Sequence, residues 1–204
     1  DDRDFQFIEK EKSSFKNLFV YNCIATDVDQ SKSDFYLTKS PYCSSILEPE
    51  KIKLKPFINS HLFEVEKKVK LNSIHIQRAI DKAKLNYVDW FKTDSQGIDL
   101  RLFKALDEKI RKKIIVAEFE PGIIDAYIGE DKLYSVLNAL GGHGFWLSDI
   151  NIKGVSRFSK ELLNVEFNGY LLKKLIKESI KKAPGWGEMT FINNFENEDL
   201  GLRE

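Results

Sequence analysis

Residues 87–119 constrain this chain more tightly than any other stretch. A short run rich in aromatic and β-branched residues, YVDWF, is halted by Asp94, and a Gly-containing turn, DSQG, follows. Next comes a helix-period stretch, IDLRLFKALDEKIRKK, and then a second apolar run, IIVAEF, which also ends in acids. That order predicts a βαβ unit with carboxylates at both strand ends. In open α/β sheets the crossover helices cover the sheet faces, so the carboxyl tips of the strands face the ligand crevice. Asp94, Gln96, Glu118 and Glu120 are therefore the first candidates for a site.

At 204 residues the chain is long enough for one good-sized domain, or one domain with a small appendage. Basic and acidic residues both number 32, so no charge excess calls for nucleic acid or another polyanion. No run is long and apolar enough to predict a membrane span, and no charged leader with an apolar stretch opens the sequence. Cys23 and Cys43 are too few for a disulfide framework and lack zinc-spaced partners, which points to a reducing, cytoplasmic setting. The first residue is Asp1 rather than Met, so the start need not be a domain boundary.

Along the chain, 4–8 predicts a short strand ending at Glu9, and 17–25 a strand apolar on both faces, as in the middle of a parallel sheet. Residues 34–38 are strand-like, and 39–60, polar and punctuated by prolines, predict a long loop over the crevice mouth. A half-exposed strand over 62–71 leads to a helix striped by Ile76, Ala79, Ile80 and Ala83, entered through Asn72 or Ser73. Ile98, Leu102, Phe103, Leu106 and Ile110 stripe the next helix. Strand 114–119, a helix ending at Gly141 and Gly142, strand 145–152 and a helix over 171–180 follow. Pro184-Gly185 then reads as a break before a closing strand at 188–193 and a loose acidic tail. The alternation from about residue 60 predicts an α/β fold with a largely parallel sheet. Residues 1–154 would form the core, and 155–204 a helical segment with the closing strand.

Most motif chemistry is excluded quickly. His61, His75 and His143 have no close acidic or cysteine partners, so no metal site is expected. Cys23 lies within an apolar strand pattern, and Cys43 has no base nearby in sequence. GGHG at 141–144 follows its helix instead of preceding it, which makes it a C-cap and not a phosphate loop. The strand-tip acids have two readings. A carboxylate there can accept ribose hydroxyls, hold an ammonium or sulfonium, or take a proton from a hydroxyl. Asp94 can equally cap the helix beginning near Gly97, a role worth about 1 kcal/mol, and spacing alone favours the cap.

Longer motifs single out a family. VDWFKTDSQGIDLRLFKAL, residues 88–106, resembles the fourth-strand signature of the FkbM-type methyltransferases, a class I branch of the S-adenosylmethionine-dependent enzymes. In that signature an LKIDVQG-like strand end precedes an ELxxLKG-like helix, and Phe91, Lys92, Asp94, Gln96, Gly97, Leu100, Phe103 and Lys104 stand in those places. FIEKEKSSF at 7–15 is similar to the family's FEP-type second strand, YNCIATD at 21–27 to its third, and CSSI at 43–46 to its Ser-Ser-Leu loop. KLNSIHIQRAI at 70–80 is similar to the element before strand four, and IIVAEFEP at 114–121 to strand five.

The resemblance implies a Rossmann-like class I methyltransferase sheet, mostly parallel, with the last strand free to run antiparallel. It implies S-adenosylmethionine as cofactor, no metal, and a small-molecule acceptor with a hydroxyl, such as a sugar or secondary metabolite. Glu9 would bind the cofactor ribose, with Asn22, Ala25 and Asp27 near the adenine. Asp94 and Gln96 would lie near the methionine end, Asp94 as base or orienting acid, with Ser44, Ser45, Glu118 and Glu120 toward the acceptor. The sequence departs from the pattern at Thr93, where the family has an aliphatic residue, and at His75, where an acid is common. No counterpart of the first strand and its Gly-rich loop is present, so the expected sheet is incomplete at its N-terminal side. A further segment or chain would complete it, and the chain alone would bind the cofactor weakly or not at all. The rival expectation is a non-catalytic α/β module that binds a protein or glycan through the 39–60 loop and PGWGE at 184–188. Burial of Trp186 in the core is the plainer outcome for that segment.

Overall fold

A computed structural model describes residues 14–157, 169–179, 182–194 and 196. The fold is mixed α/β, built on two sheets. In the first, β1 (Ile24–Thr26) runs parallel to the end of β3 (Val65–His75), and β2 (Lys32–Thr38) pairs antiparallel with β3, giving the order β1-β3-β2. In the second, β4 (Trp90–Lys92), β5 (Val116–Phe119), β6 (Phe145–Val155) and β7 (Ala183–Asn193) take the order β4-β5-β7-β6. The β4–β5 pair is parallel, whereas β7 lies antiparallel to both β5 and β6. The last strand is thus antiparallel, as it was free to be. The expectation of one sheet is corrected, since there are two: in the second, β4, β5 and β6 run the same way with β7 opposed, and in the first β2 pairs antiparallel with β3, the next strand in the chain.

Six α-helices are described: α1 (Lys51–Leu54), α2 (Ile76–Lys82), α3 (Asp99–Lys104), α4 (Glu108–Arg111), α5 (Leu133–Gly142) and α6 (Tyr170–Ser179). Asn72 and Ser73, expected as caps, belong to β3 instead. His75 does the capping, its Nδ1 accepting the Gln77 N–H at 3.2 Å. The single helix expected over 98–113 is divided into α3 and α4. At the division the Asp107 N–H donates to Gln77 Oε1 of α2 at 2.8 Å, so that amide finds its acceptor outside the helix. Ile98, Leu102, Phe103, Leu106 and Ile110 are nevertheless all buried, so the stripe survives the interruption. The strand expected over 17–25 shrinks to β1. Residues 17–22 join no ladder, and Phe19 and Tyr21 are exposed.

Pro184 and Gly185 lie inside β7 and do not interrupt it. Pro184 sits where the β6–β7 register shifts, a place where a residue without an N–H costs no regular ladder bond. β7, although it lies beyond residue 155, is an interior strand of the second sheet. The predicted strand at 4–8 and most of the acidic tail lie outside the described residues.

One face of the second sheet carries the core. Phe91, Ala117 and Phe191 stand in register on that face and pack under Leu102, Phe103, Leu106, Val136 and Leu140. Phe103 is fully buried, with its ring centroid 5.7 Å from those of Phe91 and Phe119 and 5.9 Å from that of Phe145, all near edge-to-face. The opposite face carries Trp90, Val116, Ile192 and Trp146 in one cross-strand row, and its two tryptophans are exposed. No helix among the described residues is long and apolar enough to cross a membrane.

Candidate functional site

Because β4 and β5 are parallel, their carboxyl tips lie side by side, and the segments leaving them build one wall of a cavity. The Thr93 N–H donates to Glu118 O at 3.1 Å, extending the pairing one residue past β4. The chain then turns through Gln96 (φ 53°) and Gly97 (φ 112°), both left-handed. Gly97 is needed there twice over, since the conformation disfavours a side chain and an added Cβ would lie 3.1 Å from both Leu47 Cδ1 and Glu130 Cβ.

The turn does not use Asp94 as a cap. Ser95 Oγ accepts the Ile98 N–H at 3.2 Å, and the buried carboxylate of Asp99 accepts the Ser95 N–H at 2.9 Å and the Ser95 hydroxyl. The second oxygen of Asp99 accepts the Glu120 N–H at 2.9 Å, which ties the segment after β5 to the segment after β4. A second tie comes from Asp131, which accepts from Arg101 Nε at 3.0 Å and Arg101 N at 2.9 Å, while its own N–H donates to Gly97 O at 2.8 Å. With the cap supplied by its neighbours, Asp94 is left on the cavity wall, its Oδ1 accepting from Gln96 Nε2 at 2.6 Å.

The cavity measures about 640 Å³, within the range of small-molecule sites. Its walls are the β4 tip turn, the segment 120–130, the 40–44 stretch, Asn59 with Leu62 and Phe63, and the β6 and β7 ends at Val155, Gly185 and Trp186. The stretch 40–44 thus reaches the crevice as expected of the 39–60 loop. Tyr127 anchors it from below by donating its hydroxyl to Cys43 O at 2.9 Å, with Gln96 Oε1 3.2 Å away. Burial pushes the Tyr127 phenol far above its ordinary range and the Cys43 thiol upward, so both remain protonated and neither is a ready nucleophile.

The charge on the wall is one-sided. Asp94, Glu120 and Glu130 line the cavity, and no Lys, Arg or His does so among the described residues. Glu130 is buried, yet Lys132 donates to its Oε1 at 2.6 Å and so does the Ala126 N–H at 2.7 Å. Desolvation still raises its carboxyl above the ordinary value. Glu120 is raised as well, by desolvation first and then by the neighbouring charges of Asp94 and Glu188. Lys92 is the nearby cation, but its ammonium bonds Glu118 at 3.1 Å. Glu130 also explains Gly122, where an added Cβ would come within 2.5 Å of Glu130 Oε2.

Of the residues expected to act, Asp94, Gln96, Ser44 and Glu120 meet in this one cavity. Ser45 lies just behind it, buried, its hydroxyl donating to Gln96 O at 2.7 Å and accepting the Leu47 N–H at 3.0 Å. Glu118 is directed elsewhere: it lies beside Lys92 on the sheet face opposite Phe91 and does not line the cavity. Asn22, Ala25 and Asp27 lie in or beside β1 in the other sheet and do not line it either. Glu9 falls outside the described residues. Asp99, Tyr127 and Glu130 were missed. Asp99 had a signal, an acid at the first turn of a helix that begins right after a strand tip. Tyr127 and Glu130 lie in a segment with no periodic pattern. Trp186 is not in the core but at the cavity, 37% exposed. Comparison of the chain with family models, curated proteins and solved structures finds no match.

Proposed function

We propose that the chain carries the acceptor side of a methyl-transfer site that uses S-adenosylmethionine to methylate a hydroxyl of a sugar or secondary metabolite. The observation that carries this reading is the single cavity at the carboxyl ends of parallel β4 and β5, where Asp94, Gln96, Ser44 and Glu120 converge. The antiparallel last strand beside a parallel pair supports the same class of sheet.

The cavity's residues fit the cofactor's sulfonium and ammonium, which carboxylates and an aromatic wall complement, while the cofactor's own carboxylate finds no cationic partner among the lining residues. The adenosyl half has no expected partner among the lining residues, because Asn22, Ala25 and Asp27 lie elsewhere. When bound, the cofactor supplies an activated methyl group. The chain's own residues position the acceptor. Gln96 holds one oxygen of Asp94 at 2.6 Å, and Asp94 Oδ2, with no protein donor among the described residues, can accept the proton of an acceptor hydroxyl. Ser44 Oγ accepts the Thr38 N–H at 3.1 Å and donates toward Thr38 Oγ1 at 3.4 Å, since the Thr38 hydroxyl is committed to Ser40 O, so Ser44 holds the 40–44 wall in place beside the acceptor. Fixing these groups on two strand-tip segments tied by Asp99 supplies orientation, which accounts for most of the rate in such a displacement.

The test is transfer of label from S-adenosyl-[methyl-³H]methionine to a panel of sugars and alcohols by the intact protein. Asp94→Asn is expected to lower the rate by about 100-fold or more, the usual contribution of a general base. A panel that takes up no label, together with no binding of S-adenosylhomocysteine, overturns the reading. Ligand binding without transfer would then favour the non-catalytic module, to which Trp186 at the cavity wall already lends support.

A further inference from the structure

The cavity's lining also bears on which acceptor it takes, an inference that rests on the acceptor-side reading above. Three acidic residues line the space, the Glu130 side chain almost wholly buried, and no cationic residue lines it among the described residues. Of the three, only Glu130 is neutralised, by Lys132. Asp94 receives nothing stronger than a side-chain amide, and Glu120 has no ion-pair partner among the described residues, with Lys92 held by Glu118 instead. The cofactor's sulfonium can offset one of these two carboxylates, and a neutral sugar would leave the other without a counter-charge in the cavity as water is displaced, a cost that a cationic acceptor would remove.

The uncharged part of the wall points the same way. Trp186 presents a partly exposed indole at the end of β7, where Gly122 bridges to it, two residues beyond Glu120. Phe63 and Tyr127 pack edge to face at 5.7 Å on the same lining. Aromatic faces beside unpaired carboxylates are the combination that recognises organic ammonium groups.

We propose that the acceptor is a hydroxylated organic amine, bound as its cation with the ammonium between the carboxylates of Asp94 and Glu120 and against the Trp186 ring. The hydroxyl to be methylated belongs to the same molecule. Choline and its uncharged isostere 3,3-dimethylbutan-1-ol differ in charge while keeping shape and hydroxyl, so they separate charge recognition from simple filling of the cavity.

The experiment is an NMR titration of the intact protein with each probe, following the Trp186 indole N–H, assigned by its loss in Trp186→Phe. Choline is expected to shift this resonance saturably and to bind at least about tenfold tighter than the isostere, with the margin shrinking in high salt. The double variant Asp94→Asn/Glu120→Gln, isosteric at both positions, is expected to erase the margin while leaving the remaining spectrum in place. Equal binding of the two probes, no shift with choline, or an unchanged margin in a folded double variant would each overturn the proposal. The readout needs neither cofactor nor turnover. Methyl transfer to neutral alcohols without charge preference would sink this inference and spare the methyl-transfer reading, and charge preference without any transfer would do the reverse.

Discussion

At the scale of single residues, Glu120 is where stability and function pull apart. Burial and the nearby charges of Asp94 and Glu188 raise its carboxyl above the ordinary 4.5, so the folded state holds a proton more tightly than the unfolded chain does. The sign follows from linkage. Ionised Glu120 disfavours the fold at pH above its folded value, and the penalty fades as pH falls through that value and is gone well below 4.5, where both states are protonated. Glu120→Gln is therefore expected to raise the thermal midpoint near pH 7 and to leave it unchanged below about pH 4. Melting curves of the two proteins at both pH values measure this, and a variant less stable at neutral pH would contradict it. The same variant should lose cation preference, the exchange of stability for function common at binding sites.

Between elements, Asp99 is the tie that matters most. Its carboxylate, on the first turn of α3, holds Ser95 after β4 and the Glu120 N–H after β5, and it does so while 1% exposed. Asp99→Ala would leave buried N–H groups without acceptors and is expected to cost about 3 kcal/mol. A urea denaturation series reads this cost, and a loss under about 0.5 kcal/mol would mean the two segments are held by other contacts. Much of this architecture was legible beforehand. The stripe Ile98, Leu102, Phe103, Leu106 and Ile110 marked the buried face because helical spacing follows from backbone geometry alone. The break between α3 and α4 was not legible, since the acceptor that takes the Asp107 N–H sits on Gln77, thirty residues away. Asp94, Gln96 and Glu120 were found by their place at strand tips. Glu118 is still inside β5, beside Lys92 of β4, whereas Glu120 lies past the strand end, where its N–H is tied to Asp99 and the chain enters the cavity wall. Trp186 was misjudged because Pro184-Gly185 suggested a break, whereas the β6–β7 register shift accommodates both residues inside a strand.

Across the whole molecule, the two faces of the second sheet are unequally served. Helices α2, α3, α4 and α5 contribute to the cluster that also contains Phe91, Ala117 and Phe191, and none of that cluster's residues comes from α6. The other face displays the row Trp90, Val116, Ile192 and Trp146, with Trp90 62% and Trp146 51% exposed. Leu171 and Leu175 on α6 are exposed too. Apolar surface left open in this way binds hydrophobic probes without any unfolding. The native protein is accordingly expected to enhance the fluorescence of an anilinonaphthalene dye, and Trp90→Ser/Trp146→Ser to lower that enhancement severalfold. Because neither indole is buried, the double variant should shift the unfolding free energy by no more than about 1 kcal/mol, about 0.5 for each exposed site. Dye binding that survives the double variant would place the exposed apolar surface elsewhere. A large loss of stability would show that the row is covered in solution, with both tryptophans part of a second core on the far side of the sheet.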